Sequence, residues 1–129
     1  GDGNRGVLSY FIKAALEKKH ITVYGKGTAV RDFIHVNDVV SAFELSIGKN
    51  LPFTELNIGG VQPISIADLS KFIIEKRHRS EKDIYFDESK NEDVSSYWLD
   101  CTRAKKVLGW RPEYTLSDII NEKFRELSK

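Results

Sequence analysis

Residues 23–39 constrain the fold more than any other stretch, because they predict a strand, a glycine turn, a second extended run and a helix in close succession. The residues at 22–24 are β-formers, and two glycines interrupt them at 25–27. Apolar residues at 33–36 resume an extended run. The stretch therefore predicts a mixed α/β fold.

The polar residues near this turn admit two interpretations. Arg31 stands beside the glycine turn, and its planar guanidinium is suited to paired hydrogen bonds with an anion such as phosphate. Alternatively, Arg31 and Asp32 form a solvated surface pair of little energetic value. A second polar candidate is the loop around Lys90 and Asp93. The residues alone leave both interpretations of Arg31 open.

Helical spacing of apolar residues predicts two helices in the first half of the chain. The first covers residues 7–18, and the second covers 37–47 and stops at Gly48. Asn37 is a good N-cap, which places Asp38 in the first turn, where the helix dipole favours a carboxylate. The apolar positions that share a helical face are Leu8, Phe11, Ile12 and Ala15 in the first helix, and Val40, Phe43 and Ile47 in the second.

Three more helices are predicted in the second half. Residues 65–68 and 115–118 have the form of a capping box with Asp in the acidic position, and each opens a helix. A short helix capped by Asp100 or Thr102 ends at Gly109, which suits a C-terminal cap. The expected core positions of the two longer helices are Ile66, Leu69, Phe72 and Ile73, and Leu116, Ile120, Phe124 and Leu127.

Four short strands are expected, at residues 22–24, 33–36, 53–58 and 84–86. These strands lie far apart in the sequence, so most of them cannot pair with the next strand along the chain. Small sheets of this kind are stabilised by packing against another layer of the protein. The charged run at 75–83 mixes both signs, which favours a solvated face over a nucleic-acid contact.

Composition describes a soluble globular chain of 129 residues, 40% hydrophobic and 30% charged, with a net charge of +1. This balance gives no reason to expect nucleic acid or a membrane as a partner. The single Cys101 excludes an internal disulfide framework and fits a reducing compartment, which we expect to be the cytoplasm. No signal peptide is visible. The chain contains no Met and starts within a loop-like sequence, so we expect a piece of a longer protein.

The sequence offers no obvious catalytic or metal-binding group. His20, His35 and His78 lack the spacing of metal ligands, and there is no nucleophile elbow. The glycine pairs at 1–3 and 25–27 lack the third glycine and the strand-turn-helix setting of a dinucleotide loop. We therefore predict neither a catalytic residue nor a metal in this chain.

Five segments, in the expected order, resemble the extended short-chain dehydrogenase/reductase family of nucleotide-sugar epimerases and dehydratases. They are VYG at 23–25, RDFIHVNDVV at 31–40, LNIGG at 56–60, the stretch 94–100 ending in YWLD, and AKKVLGWRP at 104–112. Together they span nearly the whole chain. Among members of the family, 4-epimerases such as the UDP-glucose 4-epimerases are the first choice.

The resemblance covers the C-terminal part of such an enzyme. The family's glycine-rich loop and its Tyr-x-x-x-Lys catalytic pair have no counterpart in this sequence. The resemblance thus implies that a missing N-terminal Rossmann half binds NAD or NADP and performs the hydride transfer. Residues 1–129 would form the nucleotide-sugar-binding domain, inactive alone, of an enzyme that is a homodimer at full length.

The resemblance also implies roles for individual residues. Arg31 would hold the diphosphate, Thr22 and Tyr24 would flank the base, and Asn57 would lie near the nucleotide. A guanidinium suits a diphosphate and an aromatic ring suits a base. Tyr24 could equally be a core tyrosine, and Asn57 a residue that forms a turn at a strand end.

Other implied contacts lie in the polar loop and at the start of the first helix. Asp93 would bind a ribose hydroxyl, and Tyr97, unless it is a core tyrosine, would line the sugar pocket. Val7 or Leu8 would touch the nucleotide. Lys90 stands where the family has Arg, and its point charge cannot reproduce a bidentate guanidinium. This departure weakens the match at the diphosphate.

The resemblance implies a nucleotide-sugar 4-epimerase, with a 4,6-dehydratase or a sugar-acid decarboxylase of the same family as alternatives. A different class is a non-catalytic binding or assembly module. Such a module should fold alone as a monomer. The enzyme portion should instead expose apolar faces on the helix at 37–47 and the strand at 53–58, and it should self-associate.

Overall fold

The computed structural model of the protein describes residues 3–49, 56–60, 62–89, 96 and 99–129, with side chains from residue 6 onward. Within these residues the helices are α1 (Gly3–Leu16), α2 (Val36–Ser46), α3 (Ile66–Lys76), α4 (Thr102–Leu108) and α5 (Leu116–Leu127). The strands are β1 (Ile21–Tyr24), β2 (Val30–Arg31), β3 (Ile64–Ser65) and β4 (Ile84–Asp87), with a 3₁₀ turn at Glu81–Asp83 before β4. The prediction of a mixed α/β fold is confirmed.

The main core forms where α1, α3 and α5 pack against one another and α1 and α3 pack on β1. β1 and β4 pair in parallel, with Ile21 opposite Ile84. The stripes predicted from helical spacing supply this core, since Phe11, Ile12, Ile73 and Ile120 are at most 2% exposed. We use the name main core for the buried residues Leu8, Phe11, Ile12, Ala14, Ala15, Ile21, Val23, Phe33, Leu69, Ile73, Ile74 and Ile120.

A second, smaller group of buried side chains lies between α2 and α4. We call it the tryptophan cluster, and it consists of Ala42, Ala104, Leu108 and Trp110. The indole Nε1–H of Trp110 donates to the backbone oxygen of Asp38 at 2.9 Å. The buried Asp38 carboxylate accepts the backbone N–H groups of Glu113 at 2.9 Å and Tyr114 at 3.1 Å. Hydrogen bonds thus fasten α2 to the segment that follows α4.

The glycine turn after β1 forms as predicted. Gly25 and Gly27 have positive φ angles of 67° and 66°, which glycine adopts without strain. A Cβ on Gly27 would lie 2.7 Å from Val23 Cγ1 and 2.8 Å from the Ala67 nitrogen. The turn leads into β2, which pairs antiparallel with β3, with Arg31 opposite Ile64.

The capping predictions for α5 and α4 have mixed outcomes. Thr115 and Asp118 form a complete capping box at the start of α5, and Gly109 ends α4 with a left-handed φ of 69°. The N-cap position of α4 is occupied by Cys101, whose side chain makes no capping bond. Asp100, one residue before this N-cap, instead accepts the backbone N–H of Thr102 at 2.9 Å.

Two strand predictions are wrong in the described residues. Residues 33–35 are not in a strand, because β2 is confined to Val30–Arg31 and α2 begins at Val36. Gly60 lies against this segment, so closely that a Cβ on it would be 1.7 Å from the Phe33 oxygen. Of the strand expected at 53–58, residues 56–58 form none, and 53–55 lie outside the described residues.

The N-cap prediction for α2 is also wrong. The N-cap residue is His35, whose side chain accepts the backbone N–H of Asn37. Val40, Phe43 and Ile47 do share one face, as their spacing predicts, but the side chains are 46%, 68% and 65% exposed. The expectation that this helix exposes an apolar face is therefore confirmed, whereas self-association remains a prediction.

Candidate functional site

Arg31 is 7% exposed, so the interpretation of Arg31 and Asp32 as a solvated pair is wrong. The residue lies in β2, where pairing with β3 draws its backbone into the structure. Its Nη1–H donates to the oxygen of the neighbouring Val30 at 3.0 Å. Because the side chain is held inside the protein, its guanidinium is restricted in direction, which suits recognition of one anion geometry.

Asp32 has a role that the sequence did not reveal. Its Oδ1 accepts the backbone N–H of Gly60 at 2.9 Å, and its Oδ2 accepts that of Leu99 at 3.3 Å. A Cβ on Gly60 would lie 2.5 Å from Oδ1, so the glycine permits this close approach. The carboxylate thereby joins two loops from distant parts of the chain beside Arg31.

Ser96 brings the end of the polar loop to β2. Its Oγ accepts the backbone N–H of Val30 at 2.9 Å, directly before Arg31 in the chain. Three of the predicted site residues belong to this part of the sequence, namely Lys90, Asp93 and Tyr97, and they lie outside the described residues.

Thr22 and Tyr24 lie on the side of β1 opposite to Ile21 and Val23, because side chains alternate along a strand. Tyr24 is 56% exposed, so its interpretation as a core tyrosine is wrong. It occupies the carboxyl end of β1, opposite Asp87 at the carboxyl end of β4. An exposed ring at the edge of a parallel pair is available to stack on a planar ligand.

Asn57 lines a different surface from these strands. It is exposed and borders a cleft of about 490 Å³ that is also lined by Asp100, Thr102, Arg103 and Lys106. Thr22, Tyr24 and Arg31 do not line this cleft. This cleft therefore does not bring Asn57 together with the other three described site residues.

The shifted pKa values of two groups near this cleft have ordinary structural causes. The pKa of the Asp100 carboxyl lies below its usual value, because the Thr102 hydroxyl and then the Thr102 backbone N–H donate to it. Burial raises the pKa of the Cys101 thiol, whose Sγ accepts the Gly59 backbone N–H at 3.1 Å. A thiol with a raised pKa is a poor nucleophile at neutral pH.

His35 joins three parts of the structure. Its Nδ1 accepts the backbone N–H of Asn37 at 3.0 Å, its Nε2 pairs with the Glu122 carboxylate, and its ring stacks on Tyr114 with centroids 3.9 Å apart. Since Nδ1 is an acceptor, the ring proton belongs on Nε2, which donates to Glu122. The contacts give His35 a structural role, and no group of side chains in the described residues could hold a metal ion.

A cleft of about 450 Å³ adjoins His35. It is lined by Leu8 from α1, Val36 and Val39 from α2, and Ile119 and Glu122 from α5. Val7 or Leu8 was expected to touch the nucleotide. Leu8 is 5% exposed and contributes to this cleft as well as to the main core, and Val7 packs against the main core.

Comparison with known proteins identifies the family to which this chain belongs. A family model described as GDP-mannose 4,6 dehydratase matches residues 4–123. The chain therefore belongs to this family of NAD-dependent nucleotide-sugar epimerases and dehydratases. The family-level resemblance found in the sequence is confirmed.

Individual relatives fit this assignment. The chain is 34% identical over 109 residues to UDP-glucuronate 4-epimerase from Thermodesulfobacterium geofontis, covering 84% of this chain and 33% of the relative. A crystal structure of dTDP-glucose 4,6-dehydratase from Bacillus anthracis in complex with NAD matches with a TM-score of 0.80 and 26% identity, covering 95% of this chain and 39% of that one. UDP-glucose 4-epimerase from Thermotoga maritima, solved with UDP-glucose, matches with a TM-score of 0.78 and 29% identity, covering 95% and 40%.

These shares show that the chain spans about a third of the length of such curated relatives. UDP-glucuronic acid decarboxylases are also among the relatives, so the similarity extends over three reaction types. In the described part of the chain, no helix combines the length and apolar character needed to cross a membrane.

The glycine turn of the described residues does not have the form of an NAD-binding loop. A dinucleotide loop places a glycine turn between a strand and a helix, so that the helix N-terminus meets the pyrophosphate. The turn at Gly25 and Gly27 instead connects β1 to β2, and the Gly27 oxygen accepts the Ala67 backbone N–H at 2.9 Å. This turn therefore lacks the strand-turn-helix setting of a dinucleotide loop.

Proposed function

We propose that the chain is the C-terminal, substrate-binding portion of an NAD-dependent nucleotide-sugar 4-epimerase. It would form one domain over residues 1–129 and hold the diphosphate of the nucleotide sugar. The observation that carries this proposal is Arg31, nearly buried in β2 at 7% exposure within the family segment RDFIHVNDVV. A restrained guanidinium meets a diphosphate at less entropic cost than a mobile surface arginine does.

Residues of β1 and of the polar loop fit the same assignment. The exposed ring of Tyr24 and the neighbouring Thr22 would flank the base at the end of β1. Ser96, bonded to Val30, ends a loop in which Asp93 would bind a ribose hydroxyl. Tyr97, the next residue after Ser96, would line the sugar pocket and limit the size of the sugar.

Two residues fit the proposal less closely. Asn57 borders a cleft that Thr22, Tyr24 and Arg31 do not line, so its contact with the nucleotide has less support. Lys90 offers the diphosphate a point charge in place of a second guanidinium. We therefore assign Arg31 the larger share of diphosphate recognition.

The hydride transfer belongs to the NAD-binding portion of the enzyme, where the cofactor would accept and return a hydride. The chain alone would be inactive. Its own contribution would be to bind the nucleotide and to orient the sugar, because specificity depends on holding the reacting atom in place.

A 4,6-dehydratase or a decarboxylase is the second candidate. It is favoured by the TM-score of 0.80 with the Bacillus anthracis dehydratase and by the UDP-glucuronic acid decarboxylases among the relatives. These enzymes would share the nucleotide site and differ in the chemistry that follows sugar oxidation.

Calorimetric titration of the chain with UDP, dTDP, GDP and UMP tests the proposal. We expect one nucleoside diphosphate to bind, and UMP to bind more weakly because it lacks the second phosphate. Arg31→Ala should weaken diphosphate binding by roughly 10- to 100-fold, the cost of losing hydrogen bonds to a charged group. Arg31→Lys should recover only part of the affinity, since it restores charge without the fork.

Arg111→Ala, at an exposed arginine, is the control and should leave the affinity unchanged. Melting curves establish that each variant is folded. Equal affinity for UDP and UMP, together with no effect of Arg31→Ala, would contradict the role of Arg31. A folded chain that binds none of the nucleotides would show that it does not carry the site alone.

A further inference from the structure

Asp32 lies at a junction of three segments of the chain. Its Oδ1 accepts the backbone N–H of Gly60 at 2.9 Å, and its Oδ2 accepts that of Leu99 at 3.3 Å. Gly60 ends the described segment 56–60, and Leu99 follows the polar loop. The carboxylate that comes directly after Arg31 therefore holds two backbone groups that are 28 and 67 residues away in the sequence.

Two consecutive glycines allow the carboxylate to come this close to the backbone. A Cβ on Gly59 would lie 2.6 Å from Asp32 Oδ2, and a Cβ on Gly60 would lie 2.5 Å from Oδ1. The Cys101 Sγ adds a second link between the same two segments, because it accepts the Gly59 backbone N–H at 3.1 Å and donates to the Leu99 oxygen at 3.6 Å. Both segments thus contribute to a junction that has the carboxylate at its centre.

A second hydrogen bond attaches the polar loop to the same stretch of backbone. Ser96 Oγ accepts the Val30 backbone N–H at 2.9 Å, and Asp32 holds Leu99. The two attached positions on the β2 side are separated in the sequence by Arg31 alone, and those on the loop side by two residues. The attachments therefore flank the arginine proposed for the diphosphate.

The carboxylate of Asp32 is itself unsuited to contact the nucleotide. Its negative charge would repel a diphosphate, and each of its oxygens already accepts a backbone N–H. Arg31, by contrast, is 7% exposed, and the pairing of β2 with β3 places its backbone. Arg31 thus has a support that does not involve Asp32, whereas the polar loop is attached to this stretch through Asp32 and Ser96.

We propose that Asp32 is a positioning residue, which fixes the polar loop beside Arg31 so that Asp93 of this loop and Arg31 bind the same nucleotide. The inference rests on the proposed function, because it requires that both of these residues contact the nucleotide. Asp32 acts through the backbone of Gly60 and Leu99. A loop that is attached in advance binds at a lower entropic cost than a loop that the nucleotide must order.

A double-mutant cycle on nucleotide affinity tests this role. The probes are UDP, dTDP and GDP, and calorimetric titration of the chain measures their affinities. Asp93→Ala should weaken binding by roughly 10-fold in the native chain, the cost of losing a hydrogen bond to a charged group, and by less than about 2-fold in an Asp32→Ala background. Arg31→Ala should keep its effect in that background, because β2 still holds Arg31. General loss of structure would not separate the two contacts in this way.

Two further variants test the role without removing the whole carboxylate. Ser96→Ala removes the other attachment of the polar loop, and it should likewise diminish the effect of Asp93→Ala. Asp32→Asn retains one acceptor oxygen, and it should give a smaller loss than Asp32→Ala. Glu44→Ala, at an exposed carboxylate of α2, is the control and should leave the effect of Asp93→Ala unchanged. Melting curves show which variants are folded.

Three outcomes would overturn the inference. They are an effect of Asp93→Ala that is equally large in the native, Asp32→Ala and Ser96→Ala backgrounds, an Asp93→Ala variant that binds as tightly as the native chain, and an effect of Arg31→Ala that disappears in the Asp32→Ala background. In each of them the native chain still binds a nucleotide, so the proposed function survives. A native chain that binds none of the three nucleotides overturns the proposed function, and the role of Asp32 with it.

Discussion

The main core and the tryptophan cluster are held together in different ways. In the main core, α1, α3 and α5 turn their apolar stripes inward, and residues such as Ile12 and Ile73 are completely buried. In the tryptophan cluster, α2 turns its smaller face inward, and hydrogen bonds from Trp110 and to Asp38 hold it in place. An apolar stripe on a helix therefore predicts that some surface will cover that face of the helix. It does not show that the covering surface belongs to this chain.

The largest expected effect contrasts two phenylalanines. Phe11→Ala should lower the free energy of unfolding by about 3–5 kcal/mol, because it leaves a cavity in the main core. Phe43→Ala should change it by less than about 0.5 kcal/mol in the isolated chain, since the ring is 68% exposed. Urea denaturation at a low protein concentration measures both. A large loss for Phe43→Ala would mean that the exposed apolar face of α2 is covered within the chain or by a second copy.

A second prediction concerns the polar attachment of α2. Asp38→Ala should lower the free energy of unfolding by about 1–3 kcal/mol, because it removes the acceptor of two backbone N–H groups, those of Glu113 and Tyr114. Asp38→Asn should cost less, since it retains one oxygen. Glu44→Ala, exposed on the same helix, is the control for loss of a carboxylate. If Asp38→Ala and Glu44→Ala behave alike in urea denaturation, hydrogen bonds do not hold this helix.

The smallest expected effect is pH-dependent and concerns the N-terminus of α5, one of the helices that pack around the main core. The pKa of the Asp118 carboxyl is lowered because the Thr115 backbone N–H and then the Thr115 hydroxyl donate to it. Its unfolded pKa is about 3.9, so the carboxylate stabilises the fold above that pH and loses this contribution as the pH falls through the lower folded value.

Asp118→Asn, compared with the native chain in urea denaturation at pH 7, 5 and 3, tests this. We expect the native chain to be more stable at pH 7 and 5, and the difference to shrink at pH 3. Glu88→Gln, at an exposed turn, serves as the control. A difference that stays constant down to pH 3 would contradict the assignment.

Local patterns in the sequence predicted local features correctly. The Thr115 capping box, the Gly109 cap and the inward faces of α1, α3 and α5 depend on residues within one or two turns of a helix, so spacing is sufficient to find them. The turn at Gly25 and Gly27 was predictable for the same reason.

Features that depend on distant partners were not predictable. His35 replaces Asn37 as the N-cap because Tyr114 and Glu122 hold its ring in position. Asp32 binds the backbone at Gly60 and Leu99, which no local motif indicates. The glycine turn between Tyr24 and Arg31 was predicted, whereas the burial of Arg31 and the cleft beside Asn57 required the assembled structure.

The first and last helices of the chain have a consequence for synthesis. α1 packs against α5, and β1 pairs with β4 rather than with the strand that follows it. During synthesis on a ribosome, β1 and α3 can cover part of the apolar stripe of α1 early, whereas α5 can complete this cover only after almost the whole chain has emerged. The parallel pair likewise forms only after the roughly 60 residues between β1 and β4 have been made. Completion of the main core should accordingly be a late event in translation.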